Sequence, residues 1–154
     1  MFENMERLSK SGRVKLRRAA GKMIHEVDAE TISAFYTACH CKREYEEKAF
    51  LAACLLAGQD TNGNTLLAKA WKEHIEREKS ASLERRMIKL LDMQWDGNYA
   101  SSLWRIVKML DRKDIDYEKL AWDIIHWDDE DRNVQKNWLR MIYSEDQIKV
   151  KEEK

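Results

Sequence analysis

Proline is absent from the 154 residues, and glycine occurs only at Gly12, Gly21, Gly58, Gly63 and Gly97. With so few breakers, the backbone can stay helical almost everywhere. Cysteine is scarce as well. Cys39, Cys41 and Cys54 are odd in number in a chain large enough to build an apolar core, which argues against a disulfide framework and fits a reducing compartment. No run of about 18 apolar residues is present to cross a bilayer, and no basic head leads into an apolar segment. The expectation is a cytoplasmic protein without membrane contact.

Net charge is also lacking, since 28 Lys and Arg balance 28 Asp and Glu. The total therefore gives no argument for a polyanionic partner, and the distribution must decide. Residues 7–22 hold Arg7, Lys10, Arg13, Lys15, Arg17, Arg18 and Lys22 with no acid. Residues 114–131 hold eight acids against Lys119 alone. So uneven a field within one small protein favours oriented binding, although solvated helix faces of opposite sign would look the same in sequence.

Apolar residues recur at three and four, as in Leu16, Ala20, Met23 and Val27, or Leu103, Val107 and Leu110, and never alternate for long. No sheet is expected. Asp28, Asp96 and Asp116 are placed to cap helices that start just after them, and Ser80 and Ser82 mark another start. The stretch Gly58 to Gly63, with Asp60, Thr61 and Asn62, is the clearest loop. The pattern predicts eight helices, at about 11–26, 29–40, 44–57, 64–78, 82–93, 97–112, 117–127 and 131–143. The fold class is all-α, a compact bundle forming one helical domain over residues 1–143, with 58–63 as candidate boundary between two packed sub-bundles. Residues 144–154 read as a charged, flexible tail.

Catalytic chemistry finds little support. No serine sits in a glycine-flanked elbow, and no Lys-Ser or Lys-Thr follows Gly58 and Gly63 to cradle phosphate. Cys39, His40 and Cys41, with Cys54, bring together soft metal ligands. On a helix, however, two cysteines one residue apart point about 200° from each other, so no metal and no cofactor are expected. His126, Asp128 and Asp129 could move protons, yet their position between two helices suits capping better. Of the six tryptophans, most should be core. Trp95, beside a turn, is the candidate for exposure.

The cations form rows. Lys10, Arg13 and Arg17 fall one turn apart, as do Arg85, Arg86 and Lys89, then Arg105, Lys108 and Arg112, and finally Arg132, Lys136 and Arg140. Solubility is normally served by mixed signs at i and i+4, whereas unmixed rows repel themselves until an anion meets them. Phosphate is the anion that repeats at such spacing, and contacts of this kind tolerate any base sequence.

The order of these segments resembles a known family. Gly12-Arg13-Val14-Lys15-Leu16-Arg17-Arg18-Ala19, then Ala34-Phe35-Tyr36, Leu83-Glu84-Arg85-Arg86 leading to Leu90-Leu91-Asp92, Leu103-Trp104-Arg105-Ile106-Val107-Lys108-Met109-Leu110, and Asp116-Tyr117 through Trp127-Asp128-Asp129 and Val134-Gln135-Lys136-Asn137-Trp138 to Tyr143 are similar to the CasB family over residues 12–143. CasB is the small subunit of the type I-E CRISPR surveillance complex, Cascade. The resemblance implies a non-enzymatic, architectural role in antiviral defence in the prokaryotic cytoplasm, with other Cascade subunits, guide RNA and target DNA as partners and two copies lying head to tail. It implies stabilisation of the guide–target hybrid and of the displaced strand through phosphate contacts, with Arg13, Lys15, Arg17, Arg18, Arg85 and Arg86 as first candidates, followed by Arg105, Lys108, Arg132, Lys136 and Arg140. Lysine at 108 and 136, where the family often has arginine, keeps charge but gives up the bidentate fork. A helical adaptor that binds only proteins is the competing reading. A metal-dependent or His/Asp hydrolase, resting on the cysteine cluster and His126, is the third.

Overall fold

Most helix starts are set locally, and the structure, a computed structural model that describes residues 1–143, opens α-helices on capping Ser or Asp side chains at five places. Ser9 Oγ accepts from Gly12 N to open α1, Lys10–Arg18. Asp28 accepts from Thr31 N at 2.9 Å before α2, Ala29–Ala38. After α3, Glu46–Gln59, and α4, Leu67–Glu78, Ser80 caps α5, Ala81–Leu91. Asp96 caps α6, Gly97–Leu110, and Asp116 caps α7, Tyr117–Ile125. The last helix is α8, Asn133–Tyr143. Three short 3-10 turns, Met5–Arg7, Ile24–Glu26 and Arg43–Tyr45, fill the connections. Among the described residues there are eight α-helices and no strand, so the fold is all-α. The tail expected at 144–154 lies outside the described residues.

The first helix stops at Arg18, well short of the end that its periodicity suggests. Gly21 takes a left-handed φ of 90°, and a Cβ there would meet Trp104 of α6 at 3.3 Å. The left-handed turn favours glycine, and Trp104, remote in sequence, leaves little room for a side chain there.

The centre of the molecule is α3. Its residues from Ala49 to Ala57 are all buried, so it is apolar all round, as a helix enclosed by others must be. It packs against α1, α2 and α7, while α4 packs against α5, α6 and α8. The chain therefore crosses back over the 58–63 loop, α7 to the first group and α8 to the second.

That loop is pinned in place. Gly63 N donates to Ile115 O at 3.0 Å, Thr65 N to Asp114 O at 2.9 Å and Asp116 N to Thr65 O at 2.8 Å, which makes a single parallel β-bridge between Thr65 and Ile115. Buried Gln59 completes the clasp, donating through Nε2 to Ile115 O and accepting from Ile115 N through Oε1. A Cβ on Gly63 would lie 2.0 Å from Asp114 O, so the close approach of the two backbones demands glycine.

The tryptophans divide differently from expectation. Trp71, Trp127 and Trp138 are buried, and Trp127 packs between Tyr99 and Trp138 at centroid distances of 4.9 and 5.2 Å. Trp95 is half-buried against Tyr99, and the exposed one is Trp122 on α7, at 41%. The turn before α6 folds Trp95 back onto the aromatic cluster, whereas Trp122 makes a T-shaped contact with Tyr45 at a centroid distance of 6.0 Å.

Candidate nucleic-acid interface

The row on α1 is drawn into the protein's own contacts. Arg13 donates through Nη1 to Asp60 O at 3.0 Å and through Nη2 to Met5 O at 3.4 Å, and its guanidinium lies 3.7 Å from the Asp60 carboxylate. Lys15 sits 3.1 Å from both Asp28 and Glu30. The bonds from Thr31, with help from Lys15, hold the Asp28 carboxyl down at about 2, so it stays ionised opposite that lysine. Arg17 and Arg18 remain exposed and, among the described residues, have no carboxylate partner.

Arg17 opens on a small cavity of about 170 Å³ between α1, α3 and the end of α6, with Lys108 and Lys113 at its rim beside Asp111. Lys108 Nζ lies 5.1 Å from the Trp104 ring centre, and Lys113 donates to Gly58 O at 3.3 Å. Trp104, Cys54 and Tyr117 also line the cavity. Lys113 was not signalled by any row, because it lies beyond the helix.

The clearest convergence is between α5 and α6. A cavity of about 330 Å³ is lined by Arg86, Lys89 and Arg105 over Leu90, Met93 and Ile106, with Ser102 on the α6 side. Arg86 donates to Met109 Sδ at 3.1 Å. Among the described residues, no carboxylate pairs with Arg85, Arg86, Lys89 or Arg105. Two rows that are remote in sequence thus become the walls of one positive recess. Lys89, read in sequence only as an extension of the arginine pair, is one of the three cations that line it.

Two rows lose a member. Asp111 ends α6 with a left-handed φ of 48°, so Arg112 leaves the α6 face and binds Asp114 and Glu73 instead. That pairing, with the Thr65 hydroxyl, brings the Asp114 carboxyl to about 2. Arg132, at φ 54°, precedes α8 and donates to Leu91 O at 2.6 Å, where it satisfies a carbonyl at the end of α5. Lys136 borders a cavity of about 210 Å³ with Ile88 and Leu139. Arg140 lies a turn further on, bonded to Asn137 and beside an apolar hollow lined by Leu66, Leu67, Leu120, Trp138 and Met141.

The remaining candidates make contacts within the fold. His126 caps α7 and meets Asp129 at 3.0 Å, while Asp128 accepts from Trp95 N at 3.1 Å. The cysteine geometry differs from the helical premise. Since α2 stops at Ala38, Cys39 and Cys41 lie beyond the helix, so the helical angle of about 200° between them does not apply. Burial pushes both thiols up, Cys39 furthest, which suppresses thiolate chemistry. Among the described residues, no group of three or more His, Cys, Asp or Glu side chains could hold a metal ion. Among them, too, no helix is long and apolar enough to cross a membrane.

An all-helical protein with a carboxylate-free basic recess is the class that fold and site define. The profile of the family described as CRISPR-associated protein Cse2 matches residues 12–143. A CRISPR-associated protein Cse2 from Thermus thermophilus is 31% identical over 105 residues, 66% of this chain and 59% of that protein, so the alignment spans less than two thirds of the relative. Among solved structures, a Cse2-family protein from Thermus thermophilus superposes with a TM-score of 0.75 at 27% identity, covering 93% of this chain and 95% of the other. A CasB structure from M. ruber is more distant in sequence, with a TM-score of 0.69 at 23% identity over 94% and 89% of the two chains, a likeness of fold alone. The chain belongs to the Cse2 family, the family also called CasB.

Proposed function

We propose that this protein is the non-catalytic small subunit of a type I-E CRISPR surveillance complex, and that it holds nucleic-acid backbones by sequence-independent phosphate contacts. Family membership supports the assembly, and a chain of a CRISPR RNA-guided surveillance complex shares the fold, with a TM-score of 0.73 at 17% identity. The observation that carries the contact itself is the α5–α6 recess, where Arg86, Lys89 and Arg105 converge with no carboxylate among the described residues to neutralise them. Like charges brought together cost stability, and an anion offsets that cost. Bound phosphates would meet Arg86, Lys89 and Arg105 in the recess, with Arg85 on the same helix and Arg17, Arg18 and Lys108 as further contacts elsewhere. Arg13, Lys15 and Arg132 are held by intramolecular partners and would contribute less. Partners on this reading are the other Cascade subunits, guide RNA, target and displaced DNA strands and a second copy of the chain, in the prokaryotic cytoplasm.

The test is anisotropy of a labelled single strand and a duplex across a salt series. A logarithmic affinity slope of several phosphates supports the clamp, since each neutralised phosphate adds about 0.7–0.9 to the slope. Absence of binding at low salt favours the protein-only adaptor, to which the exposed Trp122 also lends itself.

A further inference from the structure

The acidic surface of the protein is organised as well. Where the turn after α5 meets the turn after α7, a cavity of about 360 Å³ is lined by Asp92, Asp128, Asp129 and Glu130. Arg132 is the one cation among its lining residues, and it is already committed to Leu91 O and lies 3.5 Å from Asp92. Gln135 also lines the cavity and is 4% exposed. Its Nε2 donates to Trp127 O at 2.7 Å, but its Oε1 has no hydrogen-bond partner among the described residues. A buried carbonyl oxygen left unpaired is costly, and it marks a place where a donor is missing.

We propose that this notch docks an arginine or lysine side chain from a basic segment of a neighbouring protein subunit. The proposal rests on the assembly reading above for the source of that subunit. The sign of the field excludes a phosphate backbone at this place. A metal ion is disfavoured because the carboxylates do not converge into a ligand set. Carboxylates that line one cavity together with Gln135, whose amide oxygen is unpaired among the described residues, instead match a donor-only cation that carries several N–H groups in a fork. Two of the carboxylates have partners within the protein but, among the described residues, no fixed full cation pressed against them. Asp128 accepts from Trp95 N at 3.1 Å and lies 3.7 Å from Lys48, and the Asp129 partner, His126, is half exposed and carries charge only when protonated. Glu130 is exposed and, among the described residues, has no partner at all. Asp131, next in sequence and exposed, extends the negative surface, which suits a basic segment better than a single small amine.

The test is co-assembly of the full chain with the remaining subunits of its complex, comparing wild type with Asp129→Lys/Glu130→Lys. We expect incorporation to fall at least tenfold while the melting curve is unchanged. Oligonucleotide binding by the isolated variant should be equal to or tighter than wild type, because a repulsive region has been removed. Should the double variant lose its cooperative melt, Glu130→Lys alone is read in its place, with a smaller loss expected. Wild-type incorporation of the folded variant would overturn the proposal. So would stoichiometric calcium binding by the wild-type chain that the variant lacks. Failure of the nucleic-acid reading would appear separately, as oligonucleotide binding insensitive to salt in the wild type.

Discussion

The basic helix α1 and the basic pair α5–α6 look alike in sequence and end in opposite situations. Both carry cations one turn apart without an acid between them. In α1, the loop after α3 supplies Asp60, and the start of α2 supplies Asp28 and Glu30, so Arg13 and Lys15 are engaged before any ligand arrives. Between α5 and α6, the facing helix supplies further cations in place of carboxylates, and the charge of Arg86, Lys89 and Arg105 accumulates. A cation row is therefore a ligand site only if the tertiary neighbours leave it unneutralised. This second condition is invisible in the row itself.

The largest effect should come from breaking the clasp that sets the position of Asp60 and Arg112. Gly63→Ala forces a Cβ into the Asp114 carbonyl and is expected to cost on the order of 3 kcal/mol, read as a lower urea midpoint. Oligonucleotide affinity per folded molecule should change little, since the α5–α6 recess lies on other elements.

The next effect sharpens the comparison directly. Arg86→Glu/Lys89→Glu should weaken oligonucleotide binding at least tenfold at low salt, roughly 1.4 kcal/mol or more, with a shallower salt slope. The variant should melt as wild type does, because these side chains make no ion pair among the described residues.

Acid provides a third probe. Asp114 has a folded pKa of about 2 against an unfolded value near 3.9, so its bonds to Arg112 and Thr65 stabilise above about pH 4 and are lost as pH falls through 2. Asp28, also near 2, adds in the same direction. The midpoint temperature should drop between pH 4 and pH 2, and Asp114→Asn, less stable at neutral pH, should show a shallower drop. The smallest effect is expected from Glu30→Gln, which removes one of the two partners of Lys15 and should raise affinity by no more than about twofold, within the range of a surface pair.

Much of this was readable beforehand wherever the cause is local. Asp28, Asp96 and Asp116 cap helices because a short side chain reaches amides two or three residues away, and that reach depends on sequence alone. The all-α fold follows in the same way from absent breakers and the three-and-four period. Features with remote causes were not readable. The end of α1 depends on Trp104 packing over Gly21, and the clasp depends on Gln59 reaching Ile115. Left-handed turns at Asp111 and Arg132 swing Arg112 and Arg132 out of rows that a straight helix would have kept. Cys39 and Cys41 fall outside the helix because α2 stops at Ala38, short of the end that its pattern suggests. For the candidate site, the residue types were legible and their spatial grouping was not. Lys89 and Arg105 share a recess only because α5 and α6 pack side by side.

The most direct measurement sets the two regions against each other in one assay. Salt-dependent anisotropy would be recorded for wild type, Arg86→Glu/Lys89→Glu and Arg13→Glu/Lys15→Glu, with each variant first checked for a cooperative melt. The account predicts a large loss of affinity and slope from the α5–α6 variant and a clearly smaller loss from the α1 variant. Equal losses, or a larger loss from α1, would contradict the claim that intramolecular partners decide which cations serve nucleic acid.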